Sequence, residues 1–125
     1  MEIRRVVTGH DANGKAVFAS DEKVDGIRPA LVPGYEFHRL WGADQAPTFP
    51  DDGSAPPPGA YFPPVGGFRF GLFTVPAGST VLDAELDMEA ALGDLEARLP
   101  GMASHMEPDH PGMHTTDTVD FEDVI

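Results

Sequence analysis

Between Gly67 and Pro76 the chain reads GFRFGLFTVP, with Phe68, Phe70, Leu72 and Thr74 alternating against Arg69, Gly71, Phe73 and Val75. Successive side chains of a strand point to opposite faces, so this period of two predicts a strand over 67–76. Both faces are apolar apart from Arg69, and a buried barrel strand is the expectation, with Pro76-Ala77-Gly78 as the turn after it. The period then changes. Leu82, Leu86, Met88, Ala91, Leu92, Leu95 and Leu99 recur at steps of three and four, which predicts an amphipathic helix over 82–99. Asp83, Glu85, Asp87 and Glu89 crowd its first turns, where carboxylates suit the positive end of the helix dipole, and Pro100-Gly101 stops it.

Upstream, two β-prone runs flank Asn13-Gly14, a dipeptide that tolerates positive φ at both positions, so a hairpin over 4–19 is expected. Ser20–Pro33 mixes charges with isolated apolar residues and reads as a connection. Gly34–Trp41 alternates again, placing Tyr35, Phe37, Arg39 and Trp41 on one face and Glu36, His38 and Leu40 on the other. The next segment, 45–64, holds Pro47, Pro50, Pro56, Pro57, Pro58, Pro63 and Pro64. Proline lacks a ladder donor and fixes φ, so this is a surface loop, with Tyr61 and Phe62 as aromatics to tuck beneath it.

The chemistry concentrates in Met106–Ile125. If the chain is extended over 113–125, His114, Thr116, Thr118 and Asp120 share one face, while Thr115, Asp117, Val119 and Phe121 share the other. An imidazole, two hydroxyls and a carboxylate are then aimed together. His114 and Asp120 are the candidate catalytic pair and the candidate metal ligands. Thr116, Thr118, His110 and the strand residue Phe70 are candidate ligand contacts, and His105 and Glu107 are further donors nearby. His10 and His38 are read as structural. With no cysteine in the chain, any metal has to be held by histidine and carboxylate, which suits iron, manganese, nickel or zinc.

Charge narrows the partners. Asp and Glu number 21 against 8 Lys and Arg, a formal charge of −13 over 125 residues. Such a field excludes a phosphate-neutralising surface, and with it nucleic acid, and it repels anionic membranes while favouring neutral or cationic small molecules and divalent metals. The opening MEIRRVVTGH lacks the apolar run of about 7–15 residues of a signal peptide. No segment approaches the ~20 apolar residues of a membrane span. A single cytoplasmic domain over 1–125 is the expectation.

The segment PGMHTTDTVDFEDVI resembles the first conserved motif of the cupin barrels, in which a glycine leads to a His-x-His pair, an acidic residue and a second glycine. On that pattern His114 takes the first histidine and Asp120 the acidic position, while Thr116 stands where the second histidine belongs. The resemblance extends over Phe68–Ile125. It implies a mainly β, cupin-like jelly-roll barrel with one helix, a homodimer, and a role in small-molecule metabolism. That role is either a metal-dependent or acid–base enzyme acting on an aromatic or polyketide-like metabolite, or a non-catalytic binding module. The family's second motif supplies another histidine downstream of the first, and about five strands are legible here against the eight of a jelly roll. The expectation is therefore that residues beyond Ile125, or another chain, complete the sheet.

Overall fold

The computed structural model describes residues 2–55, 59–78, 81–110 and 112–125. Among them the chain is mainly β with one α-helix, and its strands form two separate antiparallel pairs without closing a barrel. The first pair is the expected hairpin, β1 (Ile3–His10) with β2 (Ala16–Val24), turned at Gly14 with φ 76°. The Asp11 carboxylate accepts from the backbone of Asn13 and Lys15 and ties the turn. β2 runs on to Val24, through residues whose charges suggest a loop. Those charges are cross-strand partners: Arg4 with Asp21, Arg5 with Glu22, and Lys23 with Glu2.

The second pair is β3 (Glu36–Ala43) with β4 (Phe68–Thr74). Phe37 pairs with Phe73 and Arg39 with Gly71, but the register then shifts, and Trp41 pairs with Phe70. This bulge corrects the expected alternation. Phe37 and Arg39 keep the odd-numbered face of β4, while the extra residue at Leu40 turns Trp41 to the even-numbered face with Phe70. The far edge of β3 carries one further pairing, with Ile27 and Phe37 exchanging N–H···O bonds of 2.8 and 2.9 Å.

The core lies on the Phe37 face. Phe37, Leu95 and Leu99 are buried together, with Ile27, Leu31, Tyr35, Tyr61 and Met102 packed around them. The helix α1 (Met88–Arg98) begins later than its periodicity suggests, because the Asp87 carboxylate caps it by accepting from the N–H of Ala90. Leu82 and Leu86 fall outside it. Only Ala91 and Leu95 within it, and the C-cap Leu99, are buried, so the apolar stripe is narrower than expected. β4 is likewise no buried strand, with Phe68, Phe70 and Phe73 at 40%, 59% and 48% exposure.

The expected strand over 113–125 reduces to one bridge. Met106 pairs with His114, supported by Glu107 N–H to Met113 O and Thr115 N–H to His105 O, and among the described residues no strand pairs with those after it. Val119, Phe121, Val124 and Ile125 are exposed. Without a ladder partner among the described residues, the backbone N–H and C=O groups of this segment gain no sheet pairing, and its apolar side chains stay exposed.

Leu99 has no exposed surface whereas Met88 is 56% exposed. Leu99→Ala is expected to lower stability by about 2–5 kcal/mol through loss of burial and the cavity left behind. Met88→Ala should change it by less than about 0.5 kcal/mol. Urea unfolding of the two variants beside the parent chain checks the contrast, and equal effects would refute this placement of the core.

Candidate functional site

Two places on the fold carry the candidate chemistry, on opposite faces of the β3–β4 pair. On the Phe37 face the Met106–His114 bridge sets His114 flat against Phe62, with ring centroids 5.0 Å apart and planes 26° apart. His105 packs on the same ring at 4.9 Å. Phe62 in turn meets Tyr61 edge-on at 4.9 Å, and Tyr61 meets Phe37 edge-on at 6.0 Å. The Tyr61 N–H donates to Pro100 O at 2.7 Å, which fixes this pair against the end of α1.

Beyond His114 the extended alternation persists without a sheet. The Thr116 and Thr118 hydroxyls lie 2.6 Å apart, and Thr118 donates to Asp120 at 3.3 Å. The expected polar face is therefore real over Thr116, Thr118 and Asp120, and the opposite residues Val119 and Phe121 are 80% and 94% exposed. Thr116 and Thr118 are half-buried, while His114 and Asp120 are exposed. His114 and Asp120 reach different partners, the imidazole stacking on Phe62 and the carboxylate accepting from Thr118. His110 sits in the exposed turn between the bridging residues, its N–H donating to Glu107 O. Among the described residues no three His, Asp or Glu side chains gather as a metal would require.

Phe70 belongs to the other place. A groove of about 650 Å³ lies between β1 and the even-numbered face of β4, lined by Val7, Leu40, Trp41, Phe49 and Phe70, with Arg5 and His10 in its wall. The Arg5 guanidinium lies over the Trp41 ring at 5.5 Å, donates to Leu40 O at 2.7 Å and pairs with Glu22. His10 holds the rim, its Nδ1 3.0 Å from Asp51 O and its ring edge-on to Phe49. The loop 51–53 closes one end by lying directly on Gly9, where a Cβ would stand 2.1 Å from Asp52 O. Sequence reasoning named Phe70 but missed Trp41, Arg5 and Phe49 as its neighbours, because the bulge that turns Trp41 leaves no mark in the alternation.

Near the sheet, His38 is buried on the groove side of β3, with its Nε2 3.2 Å from Glu36 Oε1. That approach lacks the alignment of a hydrogen bond. Arg39 donates to the carbonyls of Gly59 and Ala60, and burial together with the neighbouring Arg69 holds it below the usual guanidinium value. No family model matches this chain, and no curated protein or solved structure is significantly similar to it.

Burial raises the Tyr61 phenol above the ordinary tyrosine value; Arg39 opposes this, and the Asp120 and Glu122 carboxylates add to it. The fold thus keeps a proton that the unfolded chain releases near pH ~10. Stability should be fully present below that pH and fall as pH rises past it. Urea midpoints measured from about pH 8 to about pH 11 should decline in the parent and decline less in Tyr61→Phe. Parallel declines would show that Tyr61 is not held neutral.

Proposed function

We propose that this chain is a small-molecule-binding β module of the cupin type that Gly112–Ile125 resembles, and that its ligand lies in the groove between β1 and β4. The observation that carries this reading is the convergence of Trp41, Phe49 and Phe70 on one cavity of about 650 Å³, a size within the range of drug-sized ligand sites. Three aromatic rings offer faces and edges to a flat apolar molecule.

Electrostatics selects the ligand further. The strong cations lining the groove are Arg4 and Arg5; Arg4 is matched by Asp21, and Arg5 by Glu22 and the Trp41 ring. A net charge of −13 disfavours anions at every approach. A neutral, planar, largely apolar compound fits best, which agrees with the aromatic or polyketide-like class that the cupin resemblance implies. Binding without metal chemistry is the simpler reading, since His114 and Asp120 are two donors directed to different neighbours and a catalytic metal generally needs three.

N-phenyl-1-naphthylamine, a neutral fluorescent probe, tests the site. It should bind saturably and quench Trp41, the single tryptophan of the chain. Phe70→Ala should weaken binding about tenfold, equivalent to about 1.4 kcal/mol, and Gly9→Ala should weaken it by displacing the 51–53 loop. His114→Ala should leave it unchanged. Non-saturable binding, or saturable binding that responds to His114→Ala and not to Phe70→Ala, would refute the groove as the site.

A further inference from the structure

Two hydrogen bonds and one aromatic contact hold His10 in the wall of the groove. The Asp51 carbonyl accepts twice from this residue, from the backbone N–H at 2.7 Å and from the ring at Nδ1, 3.0 Å away. That carbonyl is itself fixed. The Asp51 carboxylate accepts from the Gly53 N–H at 2.7 Å, and Gly53, at φ 76°, seats the loop so closely on the hairpin that a Cβ there would stand 2.7 Å from Ala19 Cβ and 2.9 Å from Thr8 O. Phe49 meets the imidazole edge-on, with centroids 6.1 Å apart and planes at 85°. Loop and ring together set one orientation of the side chain.

The same bond assigns the proton. A carbonyl oxygen only accepts, and a bare Nδ1 at 3.0 Å would set lone pair against lone pair, so Nδ1 carries the hydrogen. In the neutral imidazole the other nitrogen is then a bare acceptor. Nε2 has no hydrogen-bond partner among the described residues, and His10 lines the groove. We propose that His10 Nε2 accepts a hydrogen bond from a hydroxyl group on the ligand, so that the groove selects a hydroxyaromatic compound over the bare ring. This rests on the groove's being the ligand site.

A phenolic hydroxyl meets both demands of the site. It is neutral near pH ~7 and donates one hydrogen, whereas a carboxylic acid arrives as an anion against a net charge of −13. An ammonium group also donates, but it gives up more hydration on leaving water, and Arg4 and Arg5 stand in the same wall. An ether or a plain hydrocarbon offers Nε2 no hydrogen and leaves it unpaired beneath the ligand, at a cost in affinity. Because Nδ1 is already bonded and the 51–53 loop already seated, little order has to be gained on binding. The hydrogen bond thus adds direction to a groove whose aromatic walls alone accept many flat molecules.

Competition with N-phenyl-1-naphthylamine at about pH 8, where an ordinary imidazole is neutral, tests the contact. 2-Naphthol should displace the probe with about fivefold higher affinity than 2-methoxynaphthalene, the same ring system with its donor hydrogen replaced. His10→Asn, whose amide can reach the Asp51 carbonyl in place of Nδ1 but extends no farther, should abolish the preference. His10→Gln, whose amide oxygen can stand where Nε2 stood, should keep part of it. Phe70→Ala should weaken both compounds alike. In the chain without ligand, long-range nitrogen–proton NMR spectra should place a hydrogen on Nδ1 of His10 and none on Nε2. A hydrogen on Nε2, equal binding of the two compounds to the parent chain, or a preference that survives in His10→Asn would overturn this assignment while leaving the groove in place. If neither compound responds to Phe70→Ala, the groove reading falls, and this one with it.

Discussion

The register shift between Arg39 and Trp41 governs how this chain divides its apolar residues. A strand without it would put Tyr35, Phe37 and Trp41 on one side, and the helix would have to cover all three. With it, Phe37 is covered by Leu95 and Leu99, while Trp41 meets Arg5 and Phe70 across the sheet. One inserted residue thus produces two apolar faces from one aromatic strand, one filled by the chain and one left as a groove. The β1–β2 hairpin depends on this directly, because its Arg5 is held by the carbonyl of the bulged Leu40.

Elements with strong local causes were legible in the sequence. Asn13-Gly14 marks its turn because the glycine must take positive φ, and Pro100-Gly101 marks the end of α1 with Gly101 at φ 79°. Asp87 as a cap was hidden among four acids at the helix start, since only geometry selects the one whose carboxylate reaches an orphan N–H. The extension of β2 to Val24 was hidden for the opposite reason. Lone charges suggest a loop until their partners on β1 are known, and those partners are about 17 residues away. In the candidate site, the polar alternation of Thr116, Thr118 and Asp120 was readable from its period, whereas the pairing of Trp41 with Phe70 depends on a bulge that no period encodes.

The small core and the large acidic excess belong to one balance. Phe37, Ala91, Leu95 and Leu99 are the buried apolar residues among those described. Burial of an apolar side chain contributes only about 1.5–3 kcal/mol, so stability has to draw on cross-strand ion pairs and aromatic contacts as well. The pairs on the hairpin are exposed, and each contributes about 0–1 kcal/mol at most. Their role is therefore more in register than in stability. Arg5 opposite Glu22, with Arg4 reaching diagonally to Asp21, favours the register that sets which residues of β1 face the groove, and a slip by one position would turn Arg5 and Val7 away from it.

The same logic links the acidic C-terminal stretch to the core. His114 owes its position to Phe62, Phe62 to Tyr61, and Tyr61 to Phe37 on one side and the Pro100 carbonyl on the other. Each contact is an aromatic pair of modest energy, about 0.5–1.5 kcal/mol beyond burial, so the series transmits position more than it contributes stability. Asp120 enters it from the other end, through its field on the Tyr61 phenol. Tyr61 is thus the residue at which the helix end, the aromatic series and the carboxylates meet. The groove, by contrast, is lined by β1, by Trp41 at the bulge and by the 51–53 loop. Because the two places share only the β3–β4 pair, a change confined to the Tyr61 side chain can alter the presentation of His114 while leaving the groove lining in place.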